Sequence, residues 1–351
     1  MRAETDAYEP PATGSSRSGS GRRLSSRDIA RAAGVSQATV SNVLNRPERV
    51  APATLQRVHD AMRKANFVVN HSARSLREGR SRTLGVVALD MANPYWGEVT
   101  RGISAAASTR GYSVLLGSSE ESREEESDLL RVFKEHRVDG VLVSSIDLAS
   151  RSLRDLDAHD IRTVLLDRTD PSEVHSSVSF DQVAGARMVA EYLVALGHRR
   201  IGFVTVPHDV WWSGERSAGL RAGVESGGLD PDEVVTEEII ATMTARDAEP
   251  AVDRLLRVAP GITAVFCAND MIALGVLKQL SVRGVAVPGD LSLVGFDDDY
   301  FSELLAPGLT TVRQQPYRLG YRAAELAIQG GAPEQVIFEP ELMVRDSVRR
   351  R

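Results

Sequence analysis

The sequence predicts a small all-α unit at the N-terminus and, behind it, a much larger α/β body built on parallel sheets. Three observations carry this. Between Leu24 and Phe67 apolar residues recur at helical spacing in three short pieces, and from Thr83 onward short β-branched runs alternate with stretches long enough for crossover helices. The third is a split in charge. Residues 1–82 hold 15 Lys and Arg against 7 Asp and Glu, a balance of +8, while the whole chain carries −6, which leaves −14 on the remainder. A basic end on an acidic body points to a polyanionic partner at that end.

At 351 residues the chain is long enough for two or three domains of ~150 residues or fewer. Its 42% hydrophobic and 26% charged residues exclude a disordered, collagenous or membrane-embedded class. No run approaches the ~18 apolar residues of a membrane helix, and the N-terminus lacks the apolar core of a signal peptide. The expected location is cytoplasmic, with no membrane partner. A single cysteine, Cys267, cannot form an intramolecular disulfide or a Cys-based zinc site within the chain.

Residues 1–21, rich in Ser, Gly, Pro and Arg, are expected to be a disordered tail. A headpiece follows over residues 22–67. Its first helix, about Ser26–Ala33, turns Ile29, Ala30 and Ala33 inward and stops at Gly34, which tolerates the tight turn after a helix. Ser36 caps the second, about Gln37–Asn45, with Val40, Val43 and Leu44 inside. The third, about Pro52–Ala65, has Pro at its first position and Leu55, Val58 and Met62 inward, but Ala51 before it offers no capping oxygen. Two helices joined by a short Gly-containing turn and closed by a third form a helix-turn-helix.

The stretch Arg27-Asp28-Ile29-Ala30-Arg31-Ala32-Ala33-Gly34-Val35-Ser36-Gln37-Ala38-Thr39-Val40-Ser41-Asn42-Val43-Leu44-Asn45 resembles the headpiece signature of lactose-repressor-type (LacI/GalR) transcriptional regulators. Its spacing sets core, turn, cap and DNA face together. The resemblance implies DNA contacts from Ser36, Gln37, Ala38, Thr39, Ser41, Asn42 and Asn45, with Gln37 and Asn42 suited to adenine and Ala38 to a thymine methyl. Residues 68–82 resemble the family's hinge: in Asn70–Arg77, Leu76 would wedge into the minor groove and Ala73 permit close approach. Val69 stands where the family usually has proline.

In the body, residues 83–351, the strand-like runs are 84–89, 114–116, 138–143, 164–166, 201–206, 264–267 and 291–296. The resemblance extends here to the two-lobed periplasmic-binding-protein-like core. It implies one lobe of about 83–180 and 314–336 and a second of about 181–313 and 337–351, the chain crossing near Phe180 and again near Gln314.

No catalytic constellation stands at convincing spacing, no metal cluster is expected, and no cofactor is called for. Asp297, Asp298 and Asp299 diverge along an extended chain, so one is expected in a cleft, while Asp270, Asp298 and Asp299 cap or pair locally. Ligands in open α/β sheets lie beyond the carboxyl ends of strands. Asp90, Asp167, Asn269 and Asp297 fall there. Arg216, Asn269 and Asp297 also match the family's effector contacts, and Tyr95, Trp96 and the pair Trp211-Trp212, of which Trp211 is assigned to the site, supply flat faces of the kind that bury sugar C–H groups. The resemblance implies a homodimeric repressor on pseudopalindromic double-stranded operator DNA, its affinity controlled by a small-molecule effector, a sugar or sugar derivative. The rival readings are a sugar-binding transport protein, which lacks a basic headpiece, and a cytosolic enzyme on the same scaffold.

Overall fold

A computed structural model describes residues 24–67, 80–208 and 210–351. They fall into two compact units, the first ending within the undescribed stretch 68–79.

Among its described residues the first unit has three α-helices, with a short 3-10 turn, Pro47–Arg49, between the second and third. In α1 (Ser26–Ala33) the Ser25 hydroxyl accepts from the Asp28 amide while the Asp28 carboxylate accepts from the Ser25 amide, a reciprocal cap, and Gly34 ends the helix at φ 64°. Ser36 caps α2 (Gln37–Asn45), accepting from the Thr39 amide at 3.0 Å. α3 (Pro52–Lys64) starts without a side-chain cap and ends one residue short of the expected Ala65. Ile29, Ala30, Val40, Val43, Val58 and Ala61 form the core, with Leu44, Leu55 and Met62 packed around it.

The second unit holds two parallel sheets, each the floor of a lobe. In the first lobe the strand order is β11-β5-β4-β3-β1-β2: β1 (Thr83–Ala88), β2 (Ser113–Ser118), β3 (Gly140–Val143), β4 (Arg162–Leu166), β5 (Ser176–Phe180) and β11 (Gln335–Phe338). Its helices are α4 (Pro94–Thr109), α5 (Arg123–Glu135), α6 (Arg151–Asp157) and α12 (Pro316–Gln329). In the second lobe the order is β7-β6-β8-β9: β6 (Ile201–Thr205), β7 (Val235–Ile239), β8 (Ala264–Cys267) and β9 (Ser292–Val294). Around it lie α7 (Gln182–Ala195), α8 (Trp211–Ser226), the short α9 (Pro231–Val234), α10 (Ala245–Val258) and α11 (Asp270–Val282). A small antiparallel pair, β10 (Thr311–Arg313) with β12 (Glu341–Met343), lies between the two sheets in the course of the chain.

Three passages link the lobes: Asp181 between β5 and α7, Gln314 and Gln315 between β10 and α12, and residues 339–340 between β11 and β12. Ile337 and Phe338, given to the second lobe on sequence, pair with β5 in the first sheet.

Five strands lay outside the expected set: β5, β7, β10, β11 and β12. The sequence of β5, Ser-Ser-Val-Ser-Phe, reads as loop, yet Ser177 and Ser179 are fully buried and the Ser177 hydroxyl donates to the Gln335 side chain. The glutamates of β7 are half-buried in ion pairs, Glu237 with His208 and Glu238 with Arg254. Buried serines and paired glutamates inside a sheet carry no apolar signal.

Helices α7 and α8 pack closely because Gly219 faces α7: a Cβ there would lie 2.3 Å from the Val183 carbonyl oxygen. Gly219→Ala therefore sets a helix-propensity gain of ~1 kcal/mol against overpacking of ~1–3 kcal/mol, and overpacking wins because the obstacle is backbone. Chemical denaturation should show a lowered midpoint for this variant; an equal or raised midpoint would mean that the helices separate freely.

Candidate functional site: a cleft between the lobes

The site assembles at the carboxyl ends of strands from both sheets. In the first lobe, Asn93 caps α4 by accepting from the Tyr95 amide at 2.9 Å, with Pro94 at the first helical position, so Tyr95 and Trp96 are fixed in the first turn, both buried. Asp167 follows β4 at φ 59° and accepts from the Tyr95 hydroxyl at 3.0 Å. In the second lobe, Asp297 follows β9 at φ 114°, its amide held by the Val312 carbonyl at 2.8 Å.

Arg216, on α8, lies at the centre and is 4% exposed. Its Nε donates to Gln182 Oε1 at 2.9 Å, Nη1 donates to the Ala268 carbonyl, and Nη2 lies 3.7 Å from Asp297 Oδ1. The guanidinium carbon sits 3.7 Å from the Phe296 ring centre and 4.8 Å from that of Trp212. Gln182 also donates to Asp167 at 3.3 Å and to Gln314 at 3.1 Å, and Gln314 donates to Asp297 at 2.6 Å. One connected network therefore runs from Tyr95 in the first lobe to Asp297 in the second, through residues at two of the passages. Asn269 uses its carbonyl oxygen to cap α11, accepting from the Ile272 amide at 2.7 Å, which leaves its buried Nδ2 without an acceptor.

Burial dominates the electrostatics. It pushes Asp167 up to about 7 despite the nearby Arg216, and it raises Asp297 as well. Burial also lowers Arg216, against the opposing pull of Asp297 and Asp167. The charges are thus more desolvated than paired. The space between them is about 30 Å³. That suits a water molecule or so and is far below the ~300 Å³ of small-molecule sites, so the cleft is filled by its own side chains.

Of the residues expected in this cleft, Tyr95, Trp96, Asp167, Arg216, Asn269 and Asp297 line the cavity. Two do not. Asp90 is partly exposed, its carboxylate turned back to accept from the Ala92 amide at 2.7 Å. Trp211 is half-buried outside the wall, and Trp212 takes its place. Trp212 stands four residues before Arg216 and so shares its helix face, whereas Trp211 is turned about 100° away. Asn93, Gln182, Met243 and Gln314 were not expected; the Asn93-Pro94 helix start was the one legible signal among them.

Asp270 is buried and accepts from the hydroxyls of Ser302 and Thr311 and the Asp299 amide, while Asp298 pairs with Arg313 and Arg345. Cys267 is buried and its thiol is pushed up by burial. A wider groove of about 500 Å³ at the amino ends of β3 and β4 is lined partly by Arg80, Lys134, Arg137 and Arg162. Arg162 donates there to the Ala327 carbonyl at 2.8 Å, compensating the exposed end of α12.

On the headpiece, Ser36, Gln37, Ala38 and Asn42 are exposed, while Thr39 and Ser41 are half-buried and Asn45 ends α2. Gln37 donates to the Ser26 hydroxyl at 3.0 Å, tying α2 to α1. Ala73 and Leu76 lie outside the described residues. Among the described residues no group of three His, Cys, Asp or Glu is placed to hold a metal, and no helix is long and apolar enough to cross a membrane.

The raised Asp167 gives a pH dependence. Its closed-cleft value of about 7 lies above the ordinary 3.8, so its contribution to closure is complete below about 4 and is lost as pH rises through about 7. All three tryptophans of the chain, Trp96, Trp211 and Trp212, stand in or beside the cleft. Their emission in the ligand-free protein should shift red between pH 5 and 8, and Asp167→Asn, neutral at every pH, should weaken the change, the remainder belonging to Asp297, which burial also raises to about 7. A wild-type emission maximum constant over this range would contradict the assignment.

A family profile for bacterial regulatory proteins of the lacI family matches residues 26–70, and one for the periplasmic binding protein-like domain matches residues 190–348. The chain is 32% identical over 329 residues to the HTH-type transcriptional repressor PurR of Vibrio atlanticus, covering 92% of this chain and 98% of that protein. It is 35% identical over 332 residues to the HTH-type transcriptional regulator GalS of Salmonella typhimurium, covering 93% and 96%. Among solved structures, the lac repressor dimer bound to operator and the anti-inducer ONPF is similar at TM-score 0.81 and 26% identity, covering 93% of this chain and 100% of that one. The transcriptional regulator CelR in complex with cellobiose is similar at TM-score 0.69 and 30% identity, with the same coverage. With headpiece, two-lobed core and near full-length similarity in agreement, the chain belongs to the LacI family and is a DNA-binding transcriptional regulator.

Proposed function

We propose that this regulator is a repressor whose operator affinity is set by a carbohydrate effector bound between its lobes. The observation that carries the reading is the Asn269 Nδ2 donor, buried in the cavity wall without an acceptor, beside Arg216 and Asp297. A hydroxylated ring meets these groups fully: its oxygens accept from Asn269 and Arg216, its hydroxyls donate to Asp167 and Asp297, and its C–H faces lie on Trp96 and Trp212. Cellobiose in the similar CelR complex supports the same chemistry.

Because the cavity holds about 30 Å³, such a ligand must part the Arg216–Gln182–Asp167 network to enter. It then bonds to both lobes only when they close on it, and this differential affinity is what shifts the protein between states. Gln182 and Gln314, at the passages between the lobes, carry the change outward.

In the headpiece, Gln37, Ala38 and Asn42 are assigned to base edges, Ser36, Thr39, Ser41 and Asn45 to positioning on the backbone, and Ala73 and Leu76 to the minor groove. A homodimer presents two headpieces to a pseudopalindromic operator; Leu115 and Leu116, 38% and 42% exposed on the edge strand β2, give it an apolar surface to cover. We read the cleft as a binding site, its two carboxylates being engaged by Tyr95, Gln182, Gln314 and Arg216.

Sugars that raise the melting temperature of the purified protein identify the effector class. With such a sugar, Arg216→Ala should leave ligand-free operator binding intact and raise the sugar concentration needed to change it by about thirtyfold or more, as expected for ~2 kcal/mol or more lost with a buried charged donor. Operator binding measured across a sugar titration decides; a variant that responds at the wild-type concentration would remove Arg216 from the site.

A further inference from the structure

Three cavity residues each have a chain neighbour that is either of opposite charge or also aromatic. Asp167 is followed by Arg168, Trp212 is preceded by Trp211, and Arg216 is preceded by Glu215. The inner acid, aromatic and base are thus accompanied by an outer base, aromatic and acid. Adjacent Cα atoms are about 3.8 Å apart, so the outer set begins one residue step from the inner one.

The outer groups are arranged toward one another across the lobes. The Arg168 guanidinium, from the first lobe, lies 5.6 Å from the ring centre of Trp211 in the second. Arg168 donates through Nη1 to the Ser145 carbonyl at 2.6 Å, which fixes the side chain, while its Nε is buried without an acceptor. Trp211, Glu215 and Arg168 are all half-buried, more exposed than Asp167, Trp212 and Arg216 beside them in the chain. Packing alone accounts for Trp211 against the second-lobe core. It leaves the orphaned Arg168 donor unexplained.

We propose that Arg168, Trp211 and Glu215 form a second subsite and that the effector is a carbohydrate of at least two linked rings. The first ring occupies the inner cavity and the second lies on Trp211, with a ring or hydroxyl oxygen accepting from Arg168 Nε and a hydroxyl donating to Glu215. The ring faces and hydroxyls of a second sugar repeat the chemistry of the first, as the two residue sets do. Parting Arg168 from Trp211 opens the cleft mouth, and the second ring takes the place of that contact.

This assignment rests on the carbohydrate reading of the cleft, and titration calorimetry on the full-length protein separates the two. The probes are glucose, galactose, mannose and fructose against cellobiose, maltose, lactose, sucrose and trehalose. The expected result is one disaccharide binding at least about tenfold more tightly than either of its constituent rings, with that ratio falling toward one in both Trp211→Ala and Arg168→Ala. Circular dichroism and a cooperative melt confirm that the variants are folded. A monosaccharide that binds as tightly as every disaccharide containing it, or a ratio unchanged in both variants, overturns the second subsite and leaves the first reading standing. Binding of no sugar at all overturns both.

Discussion

The cleft depends on one guanidinium held out of water between carboxylates that it does not fully neutralise. Arg216 lies 3.7 Å from Asp297 and reaches Asp167 only through Gln182, while Phe296 and Trp212 exclude solvent from its faces. Burial raises the acids and lowers the base, so the ion pair does not by itself make the cleft strongly favourable. This suits a site that a ligand must displace. Hydroxyl groups that satisfy Arg216, Asn269 and both carboxylates at once replace a poorly compensated network with a complete one.

The backbone supports this placement at some cost. Asp167, Asp297 and Gln315 all have positive φ, at 59°, 114° and 53°. Non-glycine residues in such conformations cost of order 1–3 kcal/mol each and persist where surrounding bonds over-determine them. Here the Asp167 amide is held by Val178 and the Asp297 amide by Val312, both in or next to residues that lead from one lobe to the other. The segments that turn the cleft carboxylates inward are therefore those through which lobe movement must pass. Gly219 completes the arrangement by letting α8 approach α7 closely enough for Arg216 to meet Gln182.

Residues whose role is written in local chemistry were legible in the sequence. Ser36, Gly34 and Pro52 marked the headpiece helices because caps and turns have few solutions. Arg216 was found through the family resemblance, by its spacing to Gly219, and Asn269 and Asp297 both through that resemblance and by their position after strands. Trp211 and Trp212 could not be separated without the helix phase relative to Arg216. Gln182 and Gln314, 132 residues apart, acquire their role only when two passages of the chain lie side by side, a juxtaposition that no local pattern encodes. The serines of β5 were hidden for a related reason: their partner, Gln335, comes from a strand about 160 residues later.

The most direct test is a double-mutant cycle on the unfolding free energy of the ligand-free protein with Arg216→Ala, Asp297→Ala and the pair. Residues acting as one network show coupling of ~0.5–3 kcal/mol, whereas independent sites add to within ~0.3–0.5 kcal/mol. If Arg216 organises the cleft, the double variant should be less destabilised than the two single variants together, by an amount well outside the additive range. Additive effects would show that Arg216 and Asp297 are buried side by side without depending on one another, and would contradict the account.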